Sequence, residues 1–559
     1  MNRRYKVERA DIVIIGNGIA GLTAAVEARH LAPDASIVII SQQSHPTINT
    51  PALKQFAIGK LTQQQLLAYP AGTERVGRIQ VVNACVEEIN ARGKFVCLDG
   101  GYGFGYGSLL IATGSTPNAL PATMPGGNFD GVLTLHCLQD YLDLRRRLPE
   151  VEQVVVIGAG AHAIETVMSL LYLGIAVHWL IRGKTVLSRT LDEPASEIVL
   201  NHIQHAGAKV HVDTQAIGIV GRMGSVAGVV TNHYDMLPCD LVLSCTGTTP
   251  VTTLAEHCNI PMMHNSGILV DDQLRTTVRD IYAAGAVAAL KNPQTGIYET
   301  RPLWHAAVLQ GRTVAAAMTG HHELAAQPFG VPWHATQLGE LYMLSVGNPQ
   351  KHTEDVMILT DGNKRSYRRL TIVGDQLVGY LSLGPTQPDS LAIKRIIDEG
   401  LSIREIKEAL LKDSFDARKH FSRQESKAVL DMVTSGKLPI VNWAHNPVPL
   451  AQSYQRTHSE SKAHSPYVLP SNPVIDHVAK GATRQTEPLE NPVLIPLYNQ
   501  PTLHGMTEEM SPSTGIEFPG KGHEPASAGP PSYSSSRASG RSSDKVSKGR
   551  KKQFVVIRR

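Results

Sequence analysis

Short apolar runs, each stopped by a glycine and followed by a helical pattern, organise the first half of the chain. Ile12-Val13-Ile14-Ile15 ends at Gly16. Leu22, Ala25, Val26 and Ala28 then fall on one helical face, and Ser36-Ile37-Val38-Ile39-Ile40 forms a second run. The order returns later: Val154-Val155-Val156-Ile157 ends at Gly158, a helical pattern covers about 163–173, and Ala176-Val177-His178-Trp179-Leu180-Ile181 follows. Continuous β-branched runs are strands covered on both faces, so each passage predicts a βαβ unit in a parallel sheet. Arg3, Arg4 and Lys6 before the first run imitate a secretion signal, but four apolar residues are too few, and a buried strand is predicted instead. Farther on, Arg369-Leu370-Thr371-Ile372 and the stretch Leu377 to Gly384 predict strands around a turn at Gly374-Asp375, with helices from about Ser390 and Ile403.

Composition narrows the class. The 559 residues suffice for roughly three to four domains. Aromatics at 5% and 48 glycines favour an α/β protein over an aromatic-lined sugar binder. A net charge of +4 is too small for nucleic acid to be the expected partner. No apolar stretch is long enough to predict a membrane span. Six cysteines without regular spacing predict a reducing, cytoplasmic setting. The pattern fades near residue 425. Residues 441–559 hold 14 of the 34 prolines and 16 serines, which predicts a disordered tail over 426–559. Its last 25 residues carry nine Lys/Arg against Asp544 alone, either a solvated end or a contact for an anionic partner or membrane surface.

Gly16-Asn17-Gly18-Ile19-Ala20-Gly21 is a full G-x-G-x-x-G between strand and helix, the context that marks a dinucleotide site. Gly16 makes the tight turn, Gly18 admits a pyrophosphate, and Gly21 lets helix and strand pack. Gly158-Ala159-Gly160-Ala161-His162-Ala163 is the second such motif, with Ala163 in the packing position. Glu165 follows; it is expected on the first helical turn, either complementing the helix dipole or serving the site.

Two dinucleotide sites point to a flavin and a nicotinamide. With Leu109-Leu110-Ile111-Ala112-Thr113-Gly114-Ser115-Thr116-Pro117, its echo Asp240 to Pro250 around Thr246-Gly247, Gly267 to Asp272, and Asp280-Ile281-Tyr282-Ala283-Ala284-Gly285, the chain resembles the FAD-dependent pyridine nucleotide-disulphide oxidoreductases over about 9–325. Ala307, Gln310 and Gly311 resemble the helix that follows. Residues 326–425 resemble the C-terminal interface domain of rubredoxin and ferredoxin reductases and of the flavoprotein segment of assimilatory nitrite reductases. The resemblance implies an FAD-binding domain in two parts (1–124 and 256–325), an NAD(P)-binding domain (125–255), both Rossmann-like, and an α+β interface domain (326–425). It also implies hydride transfer from NAD(P)H to FAD and onward electron transfer to a small acceptor, for example an iron-containing electron-transfer protein; a homodimer is left open. Lys54 and Glu165 are the candidate groups near flavin and nicotinamide. No cysteine precedes Cys85, and none are closer than Cys239 and Cys245, so dithiol chemistry lacks a nucleophile. Any iron–sulfur centre then belongs to a partner.

The pattern also breaks. Ser41-Gln42 stand where an acid would hold the adenosine ribose, Thr50 where the family has an arginine near the flavin pyrophosphate, and Ala286 where an aspartate would meet the ribityl chain. In the second unit Arg182 replaces the acid, either meeting a 2′-phosphate or standing as a surface arginine, so NADH and NADPH both stay open. These losses motivate an alternative: a degenerate, non-enzymatic dinucleotide-binding or scaffold protein.

Overall fold

The computed structural model describes residues 6–423 except 264–266, 293–295, 326–329, 352–354, 364, 387–388 and 413; the expectation for the tail lies outside the described residues. The first sheet is centred on strand Lys6–Ile15. Ile37–Ser41 and then Ile79–Asn83 lie in parallel on one side; Tyr102–Ile111, Phe95–Leu98 and Val86–Asn90 lie on the other. Ile281–Ala283 returns from far along the chain to pair with the end of Tyr102–Ile111, Ile281 opposite Leu109. The central strand starts six residues before the predicted run because its exposed end, Lys6 to Arg9, is a ribbon beside Tyr102–Gly105. Hydrophobicity could not reveal that part.

The second sheet is fully parallel, in the order Lys209–His211, Ala176–Leu180, Gln153–Ile157, Leu241–Ser244, Val132–Thr134. In both sheets the first strand of the βαβ unit is central, and the next strand and a later one flank it on opposite sides. That reversal opens a crevice at the carboxyl ends of the strands, where such folds bind ligands. An antiparallel meander (Ala216–Arg222, Ser225–Thr231, Met236–Pro238) shares a core with the second sheet through Ile219, Val229, Leu237, Val155 and Val242.

The C-terminal part is a five-stranded antiparallel sheet ordered Trp333–Leu338, Leu341–Gly347, Gln376–Gly384, Tyr367–Val373, Val356–Gly362. Helix Ser390–Asp398 buries Ile393, Ile396 and Ile397 against it. The sequence reading anticipated the two central strands near 367–384 but not the other three. Trp333–Leu338 mixes polar and half-buried positions and so lacks a strand's hydrophobic signature, whereas Leu341–Gly347 and the exposed edge Val356–Gly362, which opens Val-Met-Ile-Leu, carry apolar runs that the reading passed over. The second helix, Lys407–Leu411, starts later than residue 403 because Ile403 to Ile406 form a preceding turn. This sheet docks on the second unit through a shared apolar core, with Leu338, Leu341, Met343 and Leu383 packed in one cluster with Val167 and Val199, and through polar contacts, of which one carboxylate makes two. Asp192 caps helix Glu193–His205 and accepts from Arg369 Nη1 at 2.7 Å and Tyr367 Oη at 2.5 Å.

Three histidines are held neutral. Burial, with positive neighbours, pushes His162, His178 and His305 down to about 4. Between that value and the ordinary 6.5 the unfolded chain binds protons that the native state refuses, so stability falls as pH falls through this window. The melting temperature is expected to decline steadily from about pH 7 to about pH 5, and less steeply in His178→Gln. A flat profile in calorimetry contradicts this.

Candidate functional site

The two glycine motifs have the same geometry. Gly16 has φ +110°, and a methyl group added there would lie 2.3 Å from the Ala112 carbonyl oxygen. Gly158 has φ +139°, and its methyl would lie 2.2 Å from the Cys245 carbonyl oxygen. Each turn therefore abuts the residue just before a Thr-Gly pair: Thr113-Gly114 in the first unit, Thr246-Gly247 in the second. A methyl on Gly21 would sit 2.1 Å from the Gly16 oxygen, so this helix demands glycine, whereas the second unit accommodates Ala163 fully buried.

Gly18 and Gly160 differ in kind. Both are extended (φ −80° and −89°), a conformation open to any residue, and no protein atom lies within 4 Å of an added methyl. The fold itself does not require glycine at either place. The open volume lies before the N-termini of helices Ile19–Leu31 and Ala161–Tyr172, which have no side-chain cap and no acid in the first turn. Free N–H groups facing open space suit an anionic pyrophosphate. Asn17, 2% exposed, adds a buried Nδ2 with no partner, while Thr47 Oγ1 donates to its carbonyl at 2.8 Å. These residues fit a dinucleotide. Gly18→Val is expected to fold with the melting temperature of deflavinated wild type but to retain no FAD, read from the ratio of flavin to protein absorbance.

Around the first crevice stand the remaining predicted flavin positions. Ser41 ends its strand buried, its hydroxyl accepting from Gln43 N–H at 3.1 Å, with Gln42 exposed beside it. Thr50 is exposed at the start of a short turn, Thr50–Ala52. Gly285 N–H donates to Gln310 Oε1 at 2.7 Å; Gln310 is fully buried, and its Nε2 has no partner. Ala286 follows, half-buried. None of Ser41, Thr50 and Ala286 brings a charge.

Lys54 and Glu165, named separately from the sequence, meet. Lys54 lies on helix Leu53–Ala57, and its Nζ is 2.7 Å from Glu165 Oε2. Thr336 Oγ1, from the C-terminal sheet, donates to Glu165 Oε1 at 2.9 Å. Burial works against ionisation of Glu165, yet the Lys54 ammonium and the Thr336 hydroxyl hold its carboxyl below the usual range. The expectation that Glu165 sits on the first helical turn is corrected: the helix starts at Ala161, its first turn has no acid, and Glu165 opens the second turn facing Lys54. The sequence reading missed Thr336, and also His334 and His162, two rings that feel the charges of this pair. Thr336 and His334 lie on a strand with no motif around it, while His162 stood inside the second motif and was legible as its one ring-bearing residue.

In the second crevice Thr246 and Gly247 are tied to Asn118. Asn118 N–H donates to the Gly247 carbonyl at 2.9 Å, and Thr246 Oγ1 donates to the Asn118 carbonyl at 3.3 Å. Thr113 Oγ1 donates to the Val251 carbonyl at 2.7 Å, and strands Ser115–Pro117 and Thr248–Pro250 pair between the units. Arg182 is exposed just past strand Ala176–Leu180, with Lys184 exposed two residues on. All six cysteines are free. Cys239 and Cys245 are buried, and burial pushes both thiols up to about 12, far from a reactive thiolate.

Over residues 10–311 the sequence matches the pyridine nucleotide-disulphide oxidoreductase family, and the chain belongs to it. It is an FAD-dependent NAD(P)H oxidoreductase. The rubredoxin-NAD(+) reductase of Pseudomonas putida is 28% identical over 57% of this chain and 82% of its own. The nitrite reductase [NAD(P)H] of Bacillus subtilis is 27% identical over 67% of this chain, which spans only 46% of that enzyme. The crystal structure of a ferredoxin reductase from Rhodopseudomonas palustris covers 73% of this chain and 99% of its own with a TM-score of 0.66 and 26% identity. These relatives support the oxidoreductase reading rather than the non-enzymatic alternative.

Proposed function

We propose that this chain passes electrons from NAD(P)H to a small iron-containing electron-transfer protein of the rubredoxin or ferredoxin kind. The observation that carries the reading is the Lys54–Glu165 pair, which joins two units that each present an anion-receptive helix N-terminus, with no reactive cysteine beside it. Bound FAD supplies the redox chemistry, taking a hydride and releasing electrons. Gly16, Gly18 and Gly21 with Asn17 hold its pyrophosphate side, and Gly285 with Gln310 closes the other edge. Lys54, oriented by Glu165, whose other oxygen Thr336 holds, would be the cation that stabilises negative charge on a bound flavin. Residues 1–124 and 256–325 serve as the FAD unit, 125–255 as the NAD(P) unit and 326–425 as the interface domain. The pairing of Ile281–Ala283 onto the first sheet supports that division. Among the described residues no helix is long and apolar enough to cross a membrane, and six free cysteines support a cytoplasmic setting.

The purified protein is expected to be yellow, to bleach anaerobically with NAD(P)H, and to reduce an added rubredoxin or ferredoxin, followed at the acceptor's own absorbance. A bleached enzyme that reduces only artificial dyes removes the iron-protein assignment and leaves the flavin reading standing.

Arg182 and Lys184 are exposed where an acid would select against a 2′-phosphate, which supports use of NADPH alongside NADH. Arg182→Glu is expected to lower the ratio of kcat/KM for NADPH to that for NADH by about tenfold, the loss of one charge-assisted contact. An unchanged ratio takes Arg182 out of the site.

A further inference from the structure

His162 belongs to the second glycine motif but is none of the three positions, Gly158, Gly160 and Ala163, to which that motif assigns the turn, the pyrophosphate and the helix packing. It sits on helix Ala161–Tyr172 three residues before Glu165, and residues so spaced share a helix face. One ring nitrogen hydrogen-bonds to the backbone of Leu135, at the carboxyl end of strand Val132–Thr134. The other, Nε2, is buried and has no partner. The ring thus spans the crevice from the motif's helix to the strand beyond Leu241–Ser244.

Topology says which half of a dinucleotide this side receives. The adenosine half lies towards Arg182, at the end of strand Ala176–Leu180, and the pyrophosphate lies at the helix N-terminus. The nicotinamide half then lies on the opposite side of strand Gln153–Ile157, towards Leu241–Ser244 and Val132–Thr134. That side also carries Glu165, paired with Lys54 from the flavin unit.

Burial, and next the Lys54 charge, push His162 down to about 4, so the ring is neutral in ordinary buffers. With Nδ1–H donated to the Leu135 carbonyl, Nε2 carries a bare lone pair. A buried acceptor without a donor is costly unless a ligand supplies one. The nicotinamide carboxamide has an NH2 group, the donor this position lacks. We propose that His162 Nε2 accepts a hydrogen bond from the carboxamide NH2 of the nicotinamide, which makes His162 a binding residue that fixes the ring's orientation. The proposal rests on the NAD(P)H-oxidoreductase reading and adds to it a named contact.

The test uses the FAD-loaded full chain and two probes. One is whichever of NAD+ and NADP+ it binds more tightly; the other is that nucleotide's nicotinic acid analogue, in which a carboxylate replaces the carboxamide and the NH2 is gone. Affinities are read from perturbation of the flavin spectrum without turnover. Wild type is expected to prefer the amide by about tenfold or more, the worth of one hydrogen bond to a buried acceptor. His162→Leu is expected to lose that preference, and His162→Gln, whose carbonyl also accepts, to keep most of it. In parallel, the unprotonated ring-nitrogen NMR signal of ¹⁵N-histidine-labelled wild type should shift when the amide nucleotide is added and stay put with the acid analogue. This second measurement stands even if His162→Leu does not fold. Equal preference in wild type and His162→Leu, or an unmoved signal, overturns the role of His162 alone. Failure of wild type to bind either amide nucleotide overturns the oxidoreductase reading as well.

Discussion

The close approach of a glycine to a neighbouring carbonyl governs this molecule. At Gly16 and Gly158 the chain turns with positive φ, with no room for even a methyl group before the Ala112 or Cys245 oxygen. The first strand of each βαβ unit and the strand leading to the Thr-Gly pair are already joined by ladder hydrogen bonds. The glycine contact seats the turn against the end of that neighbouring strand, so that the helix starts at the crevice. The next glycines, Gly18 and Gly160, leave the space open. One pair of glycines shapes the site and the other keeps it empty of protein.

Between the two crevices, charge does what packing cannot. Lys54 comes from the first unit, Glu165 from the second and Thr336 from the C-terminal sheet. A half-buried ion pair gains stability only when its remaining polar atoms are also bonded, and Thr336 bonds the second oxygen of Glu165. The C-terminal sheet is held in place for this at two points: Asp192, a helix cap, also receives Arg369 and Tyr367, and His202 Nε2 meets the Leu338 carbonyl at 2.6 Å on the strand that carries Thr336.

The first crevice departs from its family where charges are expected: Ser41, Thr50 and Ala286 are all neutral. A charge-assisted hydrogen bond is worth about 1.5–3 kcal/mol; in place of such charges the crevice offers backbone N–H groups and the unpartnered amides of Asn17 and Gln310. The second crevice has gained what the first lost. Arg182 and Lys184 are exposed past the end of strand Ala176–Leu180, and His162 lies on the other side, beside Leu135.

The sequence alone determined the βαβ units, the glycine motifs and the Thr-Gly echoes. Those signals are local: a β-branched run, a glycine at a fixed offset and a helical period each act within a few residues. It also supplied Lys54 and Glu165 as separate candidates. Only the tertiary structure decided that they pair, that Thr336 completes the pair, and that Ile281–Ala283 closes the first sheet, because each contact joins segments more than a hundred residues apart. The polar end of the first strand and the edge strand Trp333–Leu338 were hidden for a different reason. Their hydrogen bonds come from a neighbouring strand, and their polar or half-exposed positions leave no hydrophobic run on their own residues.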